Sequence, residues 1–294
     1  METDHHAHDQ HGNPHSHHGG ADADELAMGE LLDLDAEVLH DYLSEVTAWI
    51  QVLTADVPPL QILDLGAGTG TGTFALLDRF DGADAIALDL SEQLLHHLRA
   101  RARALGVADR VRTVQADLDA AWPAIDTADL VWASASLHHM ADPDRVLTEI
   151  FVALRPGGLL VVVELDSFPR FLPDEVGIGR PGLEGRGHAA LAERRATDLP
   201  ELGSDWGSRL SQAGFTIQAE RSFAIELSPP LPPATGRYAQ VSLRRMRASL
   251  DGRMSADDLA TLDTLLDSDG PVGLLQRDDL SVRAARTIWV ARRP

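Results

Sequence analysis

The chain has no cysteine. That absence excludes disulfides, thiolate metal centres and a cysteine nucleophile. It also lacks the roughly 18-residue apolar run that a membrane span would need. No basic segment followed by an apolar one opens the sequence, so no secretory signal is expected. Positive charge is scarce and one-sided. There are 25 cationic side chains against 46 acidic ones, a formal net charge of -21. All of the cations are arginine, and none precedes Arg79. A surface of that sign repels a phosphate backbone at long range. The expectation is a soluble, cytoplasmic protein whose partner is a small-molecule substrate, with neither nucleic acid nor membrane involved.

What is present is enough for a large core. With 294 residues, 44% of them apolar, one α/β domain with sizeable insertions is affordable. Residues 1–24 read as a tail without core-forming periodicity, disordered by composition. Seven histidines (His5, His6, His8, His11, His15, His17 and His18) are interspersed there with glycine, asparagine and proline. Imidazoles bind zinc or nickel, but no geometry is fixed in such a tail. His96 and His97 point apart on a helix. No metal site is assigned.

Residues 25–58 form an N-terminal helical segment. Leu34, Val38, Tyr42, Val46, Trp49 and Leu53 recur at three- and four-residue steps, which predicts a helix over Asp33–Leu53. Such a helix suits a lid over a ligand, and it equally suits an outer layer or a homodimer seam. From 59 to 294 apolar strands alternate with amphipathic helices. Strands are expected at 61–65, 84–89, 111–116, 127–133 and 159–165, and the rhythm indicates a parallel sheet covered on both faces. It breaks at 166–202, rich in proline and glycine, with a helix expected from His188 to Thr197. A second insert spans 226–283, and a last strand falls near 284–291. Inserts on the rim of such a sheet commonly shape substrate pockets.

Chemistry concentrates at LDLGAGTG, Leu63 to Gly70. An aspartate near the end of a strand is followed by alternate glycines, Gly66, Gly68 and Gly70, so the backbone can approach a ligand where a side chain would block it. Asp89, at the end of the second strand, is placed to accept hydrogen bonds from ribose hydroxyls. A dinucleotide fingerprint would need glycine at position 71, where this chain has Thr71. Asp64 adds negative charge at the turn, which suits a cationic amino acid moiety better than a pyrophosphate.

LDLGAGTG (63–70), IALDLS (86–91), VQADLD (114–119), ADLVWASASLHHM (128–140) and LRPGG (154–158) together resemble the class I S-adenosylmethionine-dependent methyltransferases, in particular their small-molecule branch. The resemblance implies a Rossmann-like α/β fold, a seven-stranded mostly parallel sheet with helices on both faces and an antiparallel last strand. It implies S-adenosyl-L-methionine as cofactor. Asp64, Gly66, Gly68 and Gly70 would accommodate its methionyl and ribose parts. Asp89, beside Leu90, would bind the ribose hydroxyls, Asp117 and Leu118 the adenine, and Ser134 would lie near the methionyl end.

Methyl transfer needs a nucleophile aligned with the methyl carbon, and a general base where that nucleophile carries a proton. His138 and His139 follow the fourth strand at the ligand-bearing edge and are the candidates for proton transfer. Glu164 and Asp166 close the fifth strand and are candidate partners for an amine or a metal. Arg170 and Arg180 are candidates to grip a carboxylate, with Arg237, Arg244 and Arg245 ambiguous in the same way. Phe168, Phe171 and Tyr238 are candidates to wall an apolar pocket. Two other functional classes stay open: an NAD-dependent oxidoreductase, and a non-catalytic protein that binds the same cofactor or handles metal.

Overall fold

The computed structural model describes residues 18–294, with side chains described from Asp24 onward. Most of the histidine-rich tail therefore lies outside the described residues. One seven-stranded sheet organises the chain, in the order β3-β2-β1-β4-β5-β7-β6. Its strands are β1 (Gln61–Leu65), β2 (Asp84–Asp89), β3 (Val111–Gln115), β4 (Ala128–Ser134), β5 (Leu154–Arg170), β6 (Thr216–Leu227) and β7 (Val282–Arg292). β1 to β5 run parallel, and β7 is antiparallel to both β5 and β6. The expected mostly parallel sheet with an antiparallel last strand is therefore present.

The central strands are apolar runs because they are covered on both faces. Period-two alternation splits them between two cores. Ile62, Leu130, Trp132 and Val161 face one side, packed with Val46, Ile50, Leu76 and Phe80. Those come from α2 (His40–Leu53) and α3 (Thr71–Arg79), with Phe80 directly after it. Leu63, Val131, Ala133 and Leu160 face the other side, against Val146 and Ile150 of α5 (Pro143–Ala153) and Trp206 of α8 (Trp206–Gln212). α4 (Glu92–Ala104) begins where Ser91 Oγ accepts the Leu94 amide at 3.2 Å. α5 begins where Asp142 accepts the Arg145 amide, with Pro143 in its first turn.

A third core lies beyond the carboxyl edge of the parallel strands. It joins Val38 and Leu39 to Phe171 and to residues of α6 (Leu183–Ala190), α9 (Thr235–Arg247) and α10 (Ala256–Leu266). The N-terminal segment and both inserts thus share one cap over the sheet edge.

The helix expected over Asp33–Leu53 is two helices, α1 (His18–Val38) and α2, broken at Leu39. The buried Leu39 anchors that break in the cap core. α1 is then free to cross the glycine turn while α2 packs on the sheet. β5 runs past its expected end at 165 because β7 pairs with it as far as Arg170, opposite Arg283. The helix expected from His188 to Thr197 is two short ones, α6 and α7 (Ala192–Asp198).

Candidate active site at the carboxyl edge of the sheet

A cavity of about 550 Å³ lies between the carboxyl ends of β1, β4 and β5 and the helical cap. Among the sequence-predicted residues it brings together Asp64, Gly66, Gly68, Ser134, His138 and His139. Gly70, Asp89, Leu90, Asp117 and Leu118 do not line it.

The glycine bend is built by backbone conformations that side chains disfavour. Gly66 and Gly68 sit at φ +67° and +54°. A Cβ on Gly66 would lie 2.6 Å from Ser136 Cβ, and one on Gly68 would lie 2.8 Å from Leu32 on α1. The turn is therefore a side-chain-free floor with α1 laid across it. Gly70, at φ +86°, faces Leu98 and Phe74 and serves the helix start.

Asp89 sits behind this floor. One carboxylate oxygen accepts the Gly68 amide at 2.8 Å and the other the Ser91 amide at 2.9 Å. A carboxylate has about four acceptor positions, so each oxygen retains capacity for a hydroxyl. Leu90 is exposed. Asp117 closes a turn by accepting the Asp119 and Ala120 amides. Leu118 is buried in the sheet core, and its carbonyl accepts from Arg145.

Asp64 is buried and accepts the Thr73 hydroxyl at 2.6 Å. Burial pushes its carboxyl up to about 7, against the hydrogen bonds from Thr73, and the charge of Asp89 adds to the rise. Beside it, buried Trp132 Nε1 and Thr71 Oγ1 have no hydrogen-bond partner among the described residues. Ser136 Oγ is in the same position near Gly66. Buried donors and acceptors left unpaired are costly. Unpaired polar atoms, a floor without side chains and a proton-sharing acid together fit a ligand that carries amine, carboxyl and hydroxyl groups.

The other candidates sit at the end of β4. Ala135 takes φ +50°, unusual for a residue with a side chain, and its amide donates to Val163 O at 2.7 Å. The chain then makes one 3₁₀ turn, Leu137–His139, which places two adjacent histidines differently. His138 is buried, and its Nδ1 lies 2.5 Å from Glu164 Oε2, also buried. A carboxylate only accepts, so this contact assigns the proton to Nδ1 and leaves the Nε2 lone pair as the available base. The other carboxylate oxygen, Glu164 Oε1, is buried without a hydrogen-bond partner among the described residues. His139 is exposed at the cavity mouth, its ring 4.2 Å from that of His138. Partial desolvation, with His138 and Arg245 nearby, pulls it down to about 4.

Glu164 and Asp166 part company. Glu164 turns inward to His138, whereas the exposed Asp166 accepts from Thr287 Oγ1 across an irregularity in the β5–β7 register. Sequence spacing did not reveal the pairing of His138 with Glu164, nor a cluster in the cap. There Tyr238 OH and Arg286 both donate to Asp35 at 2.6 Å, and Tyr42 OH is buried without a hydrogen-bond partner among the described residues. Burial pushes the Tyr42 hydroxyl up to about 12. No local signal joins residues so far apart in the chain. Arg180 is bound to Asp258 and Arg237 to Glu30, both away from the cavity. Phe168, Phe171 and Tyr238 do line it. Among the described residues, no three histidine, aspartate or glutamate side chains converge as a metal-ligand set, and no helix is long and apolar enough to cross a membrane.

The family description "Methyltransferase domain" matches residues 62–158. The ubiquinone/menaquinone biosynthesis C-methyltransferase UbiE of Roseobacter denitrificans is 37% identical over 109 residues, which are 37% of this chain and 44% of that protein. The demethylmenaquinone methyltransferase of Clavibacter sepedonicus is 37% identical over 174 residues, 58% of this chain and 64% of that one. The chain therefore spans less than two thirds of the length of these relatives. Among solved structures, the [4+2]-cyclase SpnF matches with a TM-score of 0.51 and 21% identity, over 85% of this chain and 81% of that one, and shows the shared fold. With the strand order and the glycine bend, these matches make residues 62–158 a methyltransferase domain.

Proposed function

We propose that the protein transfers a methyl group from S-adenosyl-L-methionine to an oxygen, nitrogen or carbon atom of a small molecule held in the cavity. The observation that carries this reading is the glycine floor beside Asp64, opening into the same cavity as the His138–Glu164 pair. When bound, the sulfonium donor supplies an electrophilic methyl carbon, and its sulfur leaves as a neutral thioether.

The protein's part is placement and proton handling. Gly66 and Gly68 admit the donor to backbone distance, with Asp64 and Ser134 on the same wall. Asp89 takes the ribose hydroxyls. By the resemblance Asp117 and Leu118 would border the adenine with Leu90 beside it, at positions outside the lining of the cavity. The cap excludes water, which raises the reactivity of an aligned nucleophile. His138 Nε2 accepts the acceptor's proton where there is one. Glu164, bound to Nδ1, fixes the ring and balances the imidazolium charge, as an acid does for histidine in other general-base pairs. His139, held neutral, lines the path to the base.

In domain terms, residues 59–294 are the catalytic unit and the N-terminal helices its lid. A test is incubation of the protein with methyl-labelled S-adenosyl-L-methionine and a small-molecule panel. Acceptor-dependent release of S-adenosyl-L-homocysteine is the expected result. Donor binding without turnover on any acceptor would favour the non-catalytic reading, and tight NAD binding in its place would favour the oxidoreductase.

A further inference from the structure

The charges on the cavity wall do not all cancel. Arg286 is committed to Asp35, and Arg194 to Asp198 at 2.9 Å. Asp64 is bonded to Thr73. Two arginines on the same wall, Arg195 of α7 and Arg245 of α9, have no ion-pair partner among the described residues. This occurs in a chain with 46 acidic residues to choose from.

Arg195 is not a loose surface side chain. Its guanidinium carbon stacks 4.2 Å from the centroid of Phe168, and Nη1 donates to His188 Nδ1 at 3.0 Å. That bond needs His188 neutral at Nδ1. Burial, reinforced by Arg195 and Arg170, pulls His188 down to about 4 and keeps it so. Stacking and a neutral partner orient the guanidinium without neutralising it, which is how a planar fork is prepared for a carboxylate. Arg195 is itself partly desolvated, an expense that an arriving anion would offset. The same cavity is also lined by the apolar side chains Leu165, Phe168, Leu191, Leu199, Leu243 and Met246.

Resting on the methyltransferase reading, we propose that the acceptor is a small amphipathic carboxylate, its anionic head bound by Arg195 and Arg245 and its apolar body packed between the two inserts. The cap would then select for charge as well as shape. A neutral analogue would leave the partly buried Arg195 guanidinium unmatched, while the exposed Arg245 would stay in solvent.

The test uses the full chain saturated with S-adenosyl-L-homocysteine and isothermal titration of matched probes: 4-hydroxybenzoate, 3-phenylpropionate and octanoate, each against its carboxamide, with phenyl phosphate as a second anion. The carboxylates should bind at least tenfold tighter than their amides. Arg195→Gln and Arg245→Gln should each remove most of that preference, and Arg195→Lys should keep part of it. Thermal midpoints near wild type would show that the variants fold. Equal affinity for acids and amides, no saturable binding of any acid, or an unchanged preference in both glutamine variants would overturn the proposal. Preference for phenyl phosphate over all the acids would overturn the carboxylate assignment. S-adenosyl-L-homocysteine titrated alone separates the two failures: if it binds and the acids show no preference, only this inference falls, and if it does not bind, the methyltransferase reading falls with it.

Discussion

The two halves of the cavity are made in different ways. The half at the carboxyl ends of β1 and β4 is made largely of backbone. Its floor is two glycines at positive φ, with Asp64 and Thr73 from the same strand–turn–helix unit and Asp89 and Ser136 from the ends of neighbouring strands. The half beneath the cap is made of side chains contributed by α1, α6, α7, α9 and β7, as far apart as Asp35 and Arg286. The glycine floor of the first half is a property of one strand–turn–helix unit, and the second half exists only when distant segments meet. A common donor and a variable acceptor would demand this division. The local unit can be kept while the inserts change.

Substitutions can break the two halves separately. The largest effect is expected at the floor. Gly66→Val places a branched side chain at positive φ and into Ser136, and should lower donor affinity by about a hundredfold or more. Calorimetry with S-adenosyl-L-homocysteine checks it. Next comes the histidine pair. His138→Gln should cut kcat by roughly 10²–10⁴-fold on a protonated acceptor, with the donor KM little changed. Glu164→Gln should give a smaller loss and a shifted pH profile, since the amide no longer balances the imidazolium. An acceptor that is already anionic at its nucleophilic atom should be nearly insensitive to both.

A third expectation concerns Asp64. Its carboxyl is raised from 3.8 to about 7 in the folded state. The folded protein holds that proton more tightly, so the associated stability is full below pH 3.8 and is lost as pH climbs through 7. Asp64→Asn keeps an acceptor for Thr73 without the titration. Its stability relative to wild type should therefore grow between pH 4 and pH 7 and then level off, by roughly 2–4 kcal/mol in all. Urea denaturation at pH 5 and pH 8 reads this directly, and equal offsets at both would contradict it.

The smallest effect is expected at α1. Asp33 of α1 meets Arg101 at 2.6 Å and His97 at 2.8 Å, all partly exposed. Exposed pairs contribute about 0.2–1 kcal/mol. Asp33→Asn should therefore barely change the melting temperature, and should raise the donor KM a few-fold by loosening α1 over Gly68.

The same division explains what could be read from the residues alone. The alternating strands, the glycine turn and the acid at position 89 are local patterns, visible as periodicity and spacing. The break at Leu39 was not, because Leu34, Val38 and Tyr42 keep a helical step through it, and the tertiary site that receives Leu39 is remote. Glu164 was recognisable as a strand-end acid, yet its partner is 26 residues away. Arg195 carried no signal of its own in the sequence. Its stacking on Phe168 and its bond to His188 depend on how β5 and α6 meet.

One titration tests the central claim most directly: S-adenosyl-L-homocysteine into the full chain, with and without NAD, repeated on Gly66→Val. The expected result is saturable binding at one site per chain, untouched by NAD and abolished in the variant. No binding of that compound while NAD saturates the protein, or equal binding by the variant, would contradict the assignment of the glycine floor as the donor site.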